Sequence, residues 1–172
     1  SRGLGDVYKR QASFINALKH STGEFAGKNF QLMPWQQKRI IEPLFGTLRP
    51  DGTRQYRTCY VEVPRKNGKT ELGAAIALYL LFNDNEPGAQ VYSAAGDRQQ
   101  ASLDFNAASP MIRQQATLSG LSKIIDSQKR IAVYSSNSFY QVLSAEAYSK
   151  HGLNAHGILF DELHTQPNRD MW

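Results

Sequence analysis

Apolar side chains recur at helical spacing between Thr70 and Phe82, where Leu72, Ala75, Ile76, Tyr79 and Leu80 share one face. Asn83 and Pro87-Gly88 then supply the stop, so this is the best-defined helix of the chain. A shorter helix is predicted over residues 12 to 20 from Phe14, Ile15 and Leu18. Another is predicted from about Trp35 to Phe45 after the turn at Pro34, and a third from Arg98 towards Gln115. Continuous apolar or β-branched runs mark strands: "TCYVEV" ending at Val63, "AQVYSAA" over residues 89 to 95, and "KRIAVYSS" with "SFYQVLSA" about a turn at Ser135 to Ser138. The last is Ile158-Leu159-Phe160. "STGEFAGKN" and "TLRPDGTRQYR" read as loop or hairpin, the latter around Pro50-Asp51-Gly52. No internal repeat or low-complexity tract interrupts this order.

Strand, glycine turn, helix, strand, helix and further strands predict an α/β domain with a largely parallel central sheet flanked by helices. Ligands of such sheets sit beyond the carboxyl ends of the strands. Gly68-Lys69-Thr70 and Asp161-Glu162 both follow strand-like runs, so the pattern sets them on one edge.

Composition narrows the class only a little. The chain has 172 residues, with 41% hydrophobic and 20% charged, enough for one domain with a sizeable core. No apolar run approaches the ~18 residues of a membrane-spanning helix. One cysteine, Cys59, excludes an internal disulfide framework and fits a reducing compartment. Asp6-Val7-Tyr8-Lys9-Arg10-Gln11 back-translates as GAT GTG TAT AAG AGA CAG, which resembles the end of a transposase-based sequencing adapter. On that expectation residues 1–11 are not native, and residues 12–172 are part of a longer protein. With Arg2, Asp6, Lys9 and Arg10 set aside, the formal charge of +5 falls to a mildly basic balance. That permits a nucleic-acid partner without arguing for one.

Chemistry concentrates in "VPRKNGKT", residues 63 to 70. A phosphate loop needs backbone N–H groups at a helix N-terminus, a lysine for the β/γ-phosphate oxygens and a hydroxyl for Mg²⁺. Gly68, Lys69 and Thr70 supply these, and Asn67 and Gly68 tolerate the left-handed backbone that turns the loop. The usual first glycine is replaced by Val63, and Pro64 gives up one donor. The donors must then come from Arg65 through Thr70, with Arg65 and Lys66 adding charge beside a triphosphate. Asn-Gly is also an ordinary surface-turn dipeptide. The flanking strand and helix, and the distant "ILFDEL", separate this segment from such a turn. Asp161 at the tip of that run can hold Mg²⁺, directly or through water, and Glu162 can polarise an attacking water. Two acids after an apolar run equally suit a helix N-terminus. It is the pairing with the phosphate loop that makes an ATP site of them. Upstream, the amide of Gln36 or Gln37 can pair with both N6 and N7 of adenine, while Trp35 packs beside the base or in the core.

Leu32, Pro34, Trp35 and Gln36, then Val63 to Thr70, then Ile158 to His164 together resemble the ATPase domain of the large terminase subunit of tailed double-stranded DNA phages. The resemblance covers roughly residues 25 to 168. In that family the first loop glycine is commonly absent and a basic residue follows within the loop. The resemblance implies a P-loop NTPase of ASCE or RecA-like type, with ATP and Mg²⁺ as cofactors. The implied role is a motor that packs double-stranded DNA into a procapsid, in the host cytoplasm at the portal. The implied partners are portal protein, the small terminase subunit and its own copies in a homo-oligomeric ring, a pentamer. By the same resemblance Gln36 reads adenine, Lys69 and Thr70 hold phosphate and Mg²⁺, and Asp161 supports the metal. Glu162 is then the catalytic base, and Arg65 senses or stabilises the γ-phosphate. An arginine from a neighbouring subunit is also implied, with Arg98, Arg113 and Arg130 as candidates. A coupling motif and the nuclease domain would lie beyond Trp172.

Other residues carry blander expectations. His20, His151, His156 and His164 lack metal-ligand spacing and read as surface or core histidines. Cys59 reads as packing. Ser93, Gly96 and Arg98 lie at a strand end where a sensing role competes with a plain helix start, and Tyr134, Phe139 and Tyr140 read as strand packing. Two rival functions remain. A DExH-type superfamily 2 helicase also carries a glutamine before its loop and an acidic pair with x-His, although its loop usually keeps small residues. A non-hydrolysing nucleotide-binding module is opposed by the joint presence of Lys69 and Glu162.

Overall fold

The computed structural model describes residues 7–144 and 152–161. Helix α1 is Lys9–Ala17 and runs across the expected boundary at residue 11 without a break. A continuous helical stretch follows, made of α2 (Pro34–Gln36), a π-helical turn (Gln37–Ile41) and α3 (Glu42–Gly46). Pro34 opens it at the first helical position, where the missing N–H costs nothing. Next come α4 (Lys69–Phe82), β1 (Gln90–Ala94), α5 (Arg98–Arg113) and α6 (Ala116–Leu121). Strands β2 (Lys123–Ile125), β3 (Arg130–Val133), β4 (Ser138–Leu143) and β5 (Gly157–Phe160) complete the elements of the described residues.

The five strands form one sheet in the order β2-β3-β4-β1-β5. Strand β1 is central and parallel to both β4 and β5, with Val91 opposite Tyr140 and Ser93 opposite Leu159. The expected largely parallel sheet is corrected to a mixed one, because β2, β3 and β4 form an antiparallel meander. Parallel neighbours need a long crossover, and here two tight turns replace it. Each is a 3₁₀ turn closed by a left-handed residue, Lys129 (φ 52°) or Asn137 (φ 53°).

One sheet face carries Val91, Ser93, Ile131, Val133, Ser138, Tyr140 and Val142, all at most 4% exposed. Helices α4 and α5 lie side by side against it. Helix α4 is apolar nearly all round, burying Leu72, Ala74, Ala75, Ala77, Leu78, Tyr79 and Leu81, as a helix between other layers must. Gly157 of β5 allows close approach: Leu80 of α4 occupies the space beside it, where a Cβ would lie 2.6 Å from Leu80 Cδ1. Helix α5 packs through Ala101, Phe105, Ala108 and Ile112, with Phe105 stacked on Tyr140. Ser93 Oγ lies 2.6 Å from the Tyr140 hydroxyl and donates to Ala101 O, which ties strand, sheet and helix together.

The strand expected over "TCYVEV" is not formed, which corrects that reading. Residues 57–64 adopt no regular structure, Tyr60 is 70% exposed, and Cys59 is exposed rather than packed. β-Propensity reflects fit to a half-buried pleated surface. The β5 edge of the sheet does not pair with this segment among the described residues.

Candidate functional site

The site assembles where α4 begins and β5 ends. Gly68 caps α4 with φ 71° and no side-chain hydrogen bond, so the first-turn N–H groups face outward without a capping acceptor. The left-handed positions of the loop are Lys66 (φ 65°) and Gly68, whereas Asn67 was expected to share that role with Gly68. Asn67 instead braces the loop, its Nδ2 donating to Pro64 O at 3.0 Å and to Arg65 O at 3.4 Å. Arg65 and Lys66 are exposed, and Thr70 is half-buried on the first turn of α4.

Lys69 Nζ lies 3.2 Å from Asp161 Oδ1, with Asp161 11% exposed. The lysine of the loop and the acid at the strand tip are thus brought together across more than half of the chain. Gln100 Nε2 donates to Asp161 Oδ2 at 3.3 Å, and Gln100 N donates to the helix-capping Asp97 Oδ1 at 2.8 Å. Glu162 and His164 lie outside the described residues, as does His151.

Gln36 is 1% exposed and sits against the loop: a Cβ at Gly68 would lie 3.8 Å from Gln36 Nε2. Its Oε1 accepts from Met33 N at 2.9 Å, so its acceptor caps the helix that begins at Pro34. Gln37, the other adenine candidate, donates to Glu42 Oε1 at 3.1 Å. A π-helical turn immediately after Gln36 is a feature frequent at functional sites.

Behind Thr70, Glu71 points the other way. Its carboxylate takes His20 Nδ1 at 2.5 Å, the hydroxyls of Ser21 and Thr22, and both their backbone N–H groups. Burial raises its pKa, but the His20 and Ser21 hydrogen bonds outweigh this and hold it below the ordinary value. His20 also stacks on Phe30. His156 Nε2 lies 2.6 Å from Asp84 Oδ2 at the far end of α4.

Two site residues escaped the sequence reading, Gln100 and Asp104. Their i, i+4 spacing puts them on one face of α5, polar among Ala101, Phe105 and Ala108, and that break in an apolar stripe was the available signal. Among the arginines considered for a role between subunits, Arg113 pairs with Asp126. Arg130 donates to Gln141 and lies over Phe139. Arg98 is exposed at the start of α5, two residues before Gln100. Ser93 is fully buried and serves packing.

An apolar mixed sheet, a glycine-capped helix and a lysine–aspartate pair at a strand tip define an α/β domain with a candidate anion site at the head of α4. A family model described as "Terminase large subunit, ATPase domain" matches residues 34–172, and the chain belongs to that family. The large terminase subunit of Enterobacteria phage HK97 is 32% identical over 141 residues, which is 81% of this chain and 27% of that protein. The crystal structure of the HK97 bacteriophage large terminase superposes with a TM-score of 0.74 at 30% identity, covering 90% of this chain and 31% of that one. The chain thus spans about a third or less of the relatives it matches. The DExH-type helicase alternative finds no support in these comparisons.

Proposed function

We propose that this chain is the ATP-binding and ATP-hydrolysing part of a phage terminase large subunit, built on a P-loop of ASCE type. The observation that supports this reading is the approach of Lys69 Nζ to Asp161 Oδ1, a cation and an acid side by side at the start of α4. The donor set fits Mg²⁺, a hard cation that takes hydroxyl and carboxylate oxygens. Thr70 and Asp161 would hold it, and a cation there supplies charge neutralisation on the phosphate oxygens. The chain's own groups do the rest. The backbone of Lys66, Asn67, Gly68 and Lys69 wraps the phosphates, and Lys69 leaves Asp161 to reach the β/γ oxygens. Gln100 keeps Asp161 oriented as this happens. Arg65, exposed on the loop, is placed to meet the γ-phosphate, and Glu162 is the base for water. Gln36 contacts adenine through its Nε2 and links the base to Gly68.

In the whole protein the domain would drive double-stranded DNA into a procapsid as a ring of identical subunits, a pentamer. Its partners would be the portal and the small terminase subunit, in the host cytoplasm. Nuclease activity would belong to a further domain.

The test is nucleotide-dependent stability. Wild type should gain thermal stability with saturating Mg-ATP, about 2.7 kcal/mol at a hundredfold excess over Kd. Lys69→Ala should lose that gain, and an unchanged shift would overturn the site. Glu162→Gln should still bind but release no phosphate.

A further inference from the structure

Asp104 is the least explained group near the site. It lies on α5 one turn after Gln100, is 4% exposed, and has neither a hydrogen bond nor an ion pair among the described residues. Buried polar groups are almost always satisfied, so an orphaned carboxyl points to a partner the protein takes from outside. Its position is tightly set. A Cβ at Gly73, one turn along α4 from Lys69, would lie 3.2 Å from Asp104 Oδ1 and 3.3 Å from Leu159 Cδ2. The absence of a side chain at Gly73 is thus what lets this carboxyl reach the helix face that carries Lys69.

The surroundings are those of the proposed phosphate and metal site. Burial raises the Asp104 pKa to about 7, the Asp161 carboxylate adds to this, and the Lys69 ammonium opposes it. Asp104 therefore feels both members of the Lys69–Asp161 pair, while its own carboxyl has no hydrogen bond among the described residues.

We propose that Asp104 is a second acid of the divalent-cation site, accepting hydrogen bonds from the water shell of the ion that Thr70 and Asp161 hold. The proposal rests on the ATP-site reading above. When Lys69 turns to phosphate, the cation that offsets the effect of Asp161 on Asp104 moves away. A hydrated divalent cation supplies the donors that the buried Asp104 carboxyl lacks among the described residues. A hard ion that retains several waters, as Mg²⁺ does, suits a carboxyl set back from the helix N-terminus. The role of Asp104 is consequently to couple metal binding to nucleotide binding, not to bind nucleotide itself.

The experiment measures ADP affinity of the full chain across a Mg²⁺ titration and in EDTA, for wild type, Asp104→Asn, Asp161→Asn and Lys69→Ala. Asparagine keeps the shape against Gly73 and removes the charge. Asp104→Asn should bind ADP in EDTA at least as tightly as wild type, while needing at least fivefold more Mg²⁺ for half-maximal tightening. Asp104→Ser, smaller and also neutral, should show the same split and serves if the amide packs badly. A merely structural role would change melting temperature and leave the Mg²⁺ midpoint in place, and that result overturns the proposal. If Asp161→Asn moves the midpoint and Asp104→Asn does not, Asp104 alone is wrongly assigned. If neither Asp161→Asn nor Lys69→Ala has an effect, the ATP site itself is wrong, and the proposal about Asp104 falls with it.

Discussion

Gly68 holds a backbone that a residue with a Cβ enters only at a cost of about 1–2 kcal/mol. Space is not the obstacle, since the nearest side-chain atom to an added Cβ is Gln36 Nε2 at 3.8 Å. Gly68→Ala should therefore destabilise the chain by about 1–2 kcal/mol through strain alone, as read by urea unfolding. Nucleotide affinity should fall further, because the first-turn N–H groups are aimed by that same φ. Lys66 carries a comparable left-handed angle without a glycine's freedom. At this scale the sequence was readable where it set Gly68 as the turn before a helix, and Gly68 does cap α4 in the left-handed conformation. It was unreadable at Asp104 and Gln100, whose relevance arises only when α5 is laid beside α4. The left-handed turn was assigned one residue too late, because asparagine is the more tolerant type and lysine gives no such signal.

Among elements, the 18–29 loop is tied to the phosphate-loop helix by a single carboxylate. Glu71 collects His20, Ser21 and Thr22, and a short antiparallel bridge, Lys19 to Asn29, closes the loop behind it. Hydrogen bonds to a charged acceptor are each worth about 1.5–3 kcal/mol at most and share one partner here. Glu71→Ala should cost about 2 kcal/mol overall. It should also raise amide exchange in residues 20–28 selectively, with α5 unaffected; uniform acceleration would show that Glu71 does not act through the loop. Helices α4 and α5 were legible because their apolar periodicity runs for three or more turns. Strand β2 is three residues long and α6 six, too short for periodicity to register. "TCYVEV" shows the opposite failure: its side chains suit a strand, but a strand exists only where a neighbour takes up its backbone groups. The turn at Asn137 was read in its place, between Ser135 and Ser138, whereas the one at Lys129 lacks glycine and leads from a three-residue strand, so the third strand of the meander went unread.

Across the molecule, α4 works as an axle with chemistry at one end and a structural tie at the other. Its first residue reaches Asp161, while just past its last turn Asn83 O accepts from Arg10 and Asp84 gathers two distant segments. Both Asp84 oxygens face the Arg54 guanidinium, and His156, at the entry to β5, adds a third contact at 2.6 Å. The same strand thus leaves one end of α4 at His156 and returns to the other at Asp161. Burial raises the Asp84 pKa, but His156 and Arg54 together outweigh it and hold the carboxyl below its ordinary value of 3.8. A depressed acid contributes stability that is present above the unfolded value and is lost as pH falls through the folded one. The contribution is therefore intact at neutral pH and disappears below about pH 4. Asp84→Asn should cost about 2–3 kcal/mol at pH 7, less than for a fully buried pair because Arg54 still reaches solvent. The gap between wild type and variant should close as pH is lowered towards 3, checked by urea melts at each pH. A gap of constant size across that range would mean that Asp84 acts by shape and not by charge, and the coupling of the Arg54 loop to β5 would need another source.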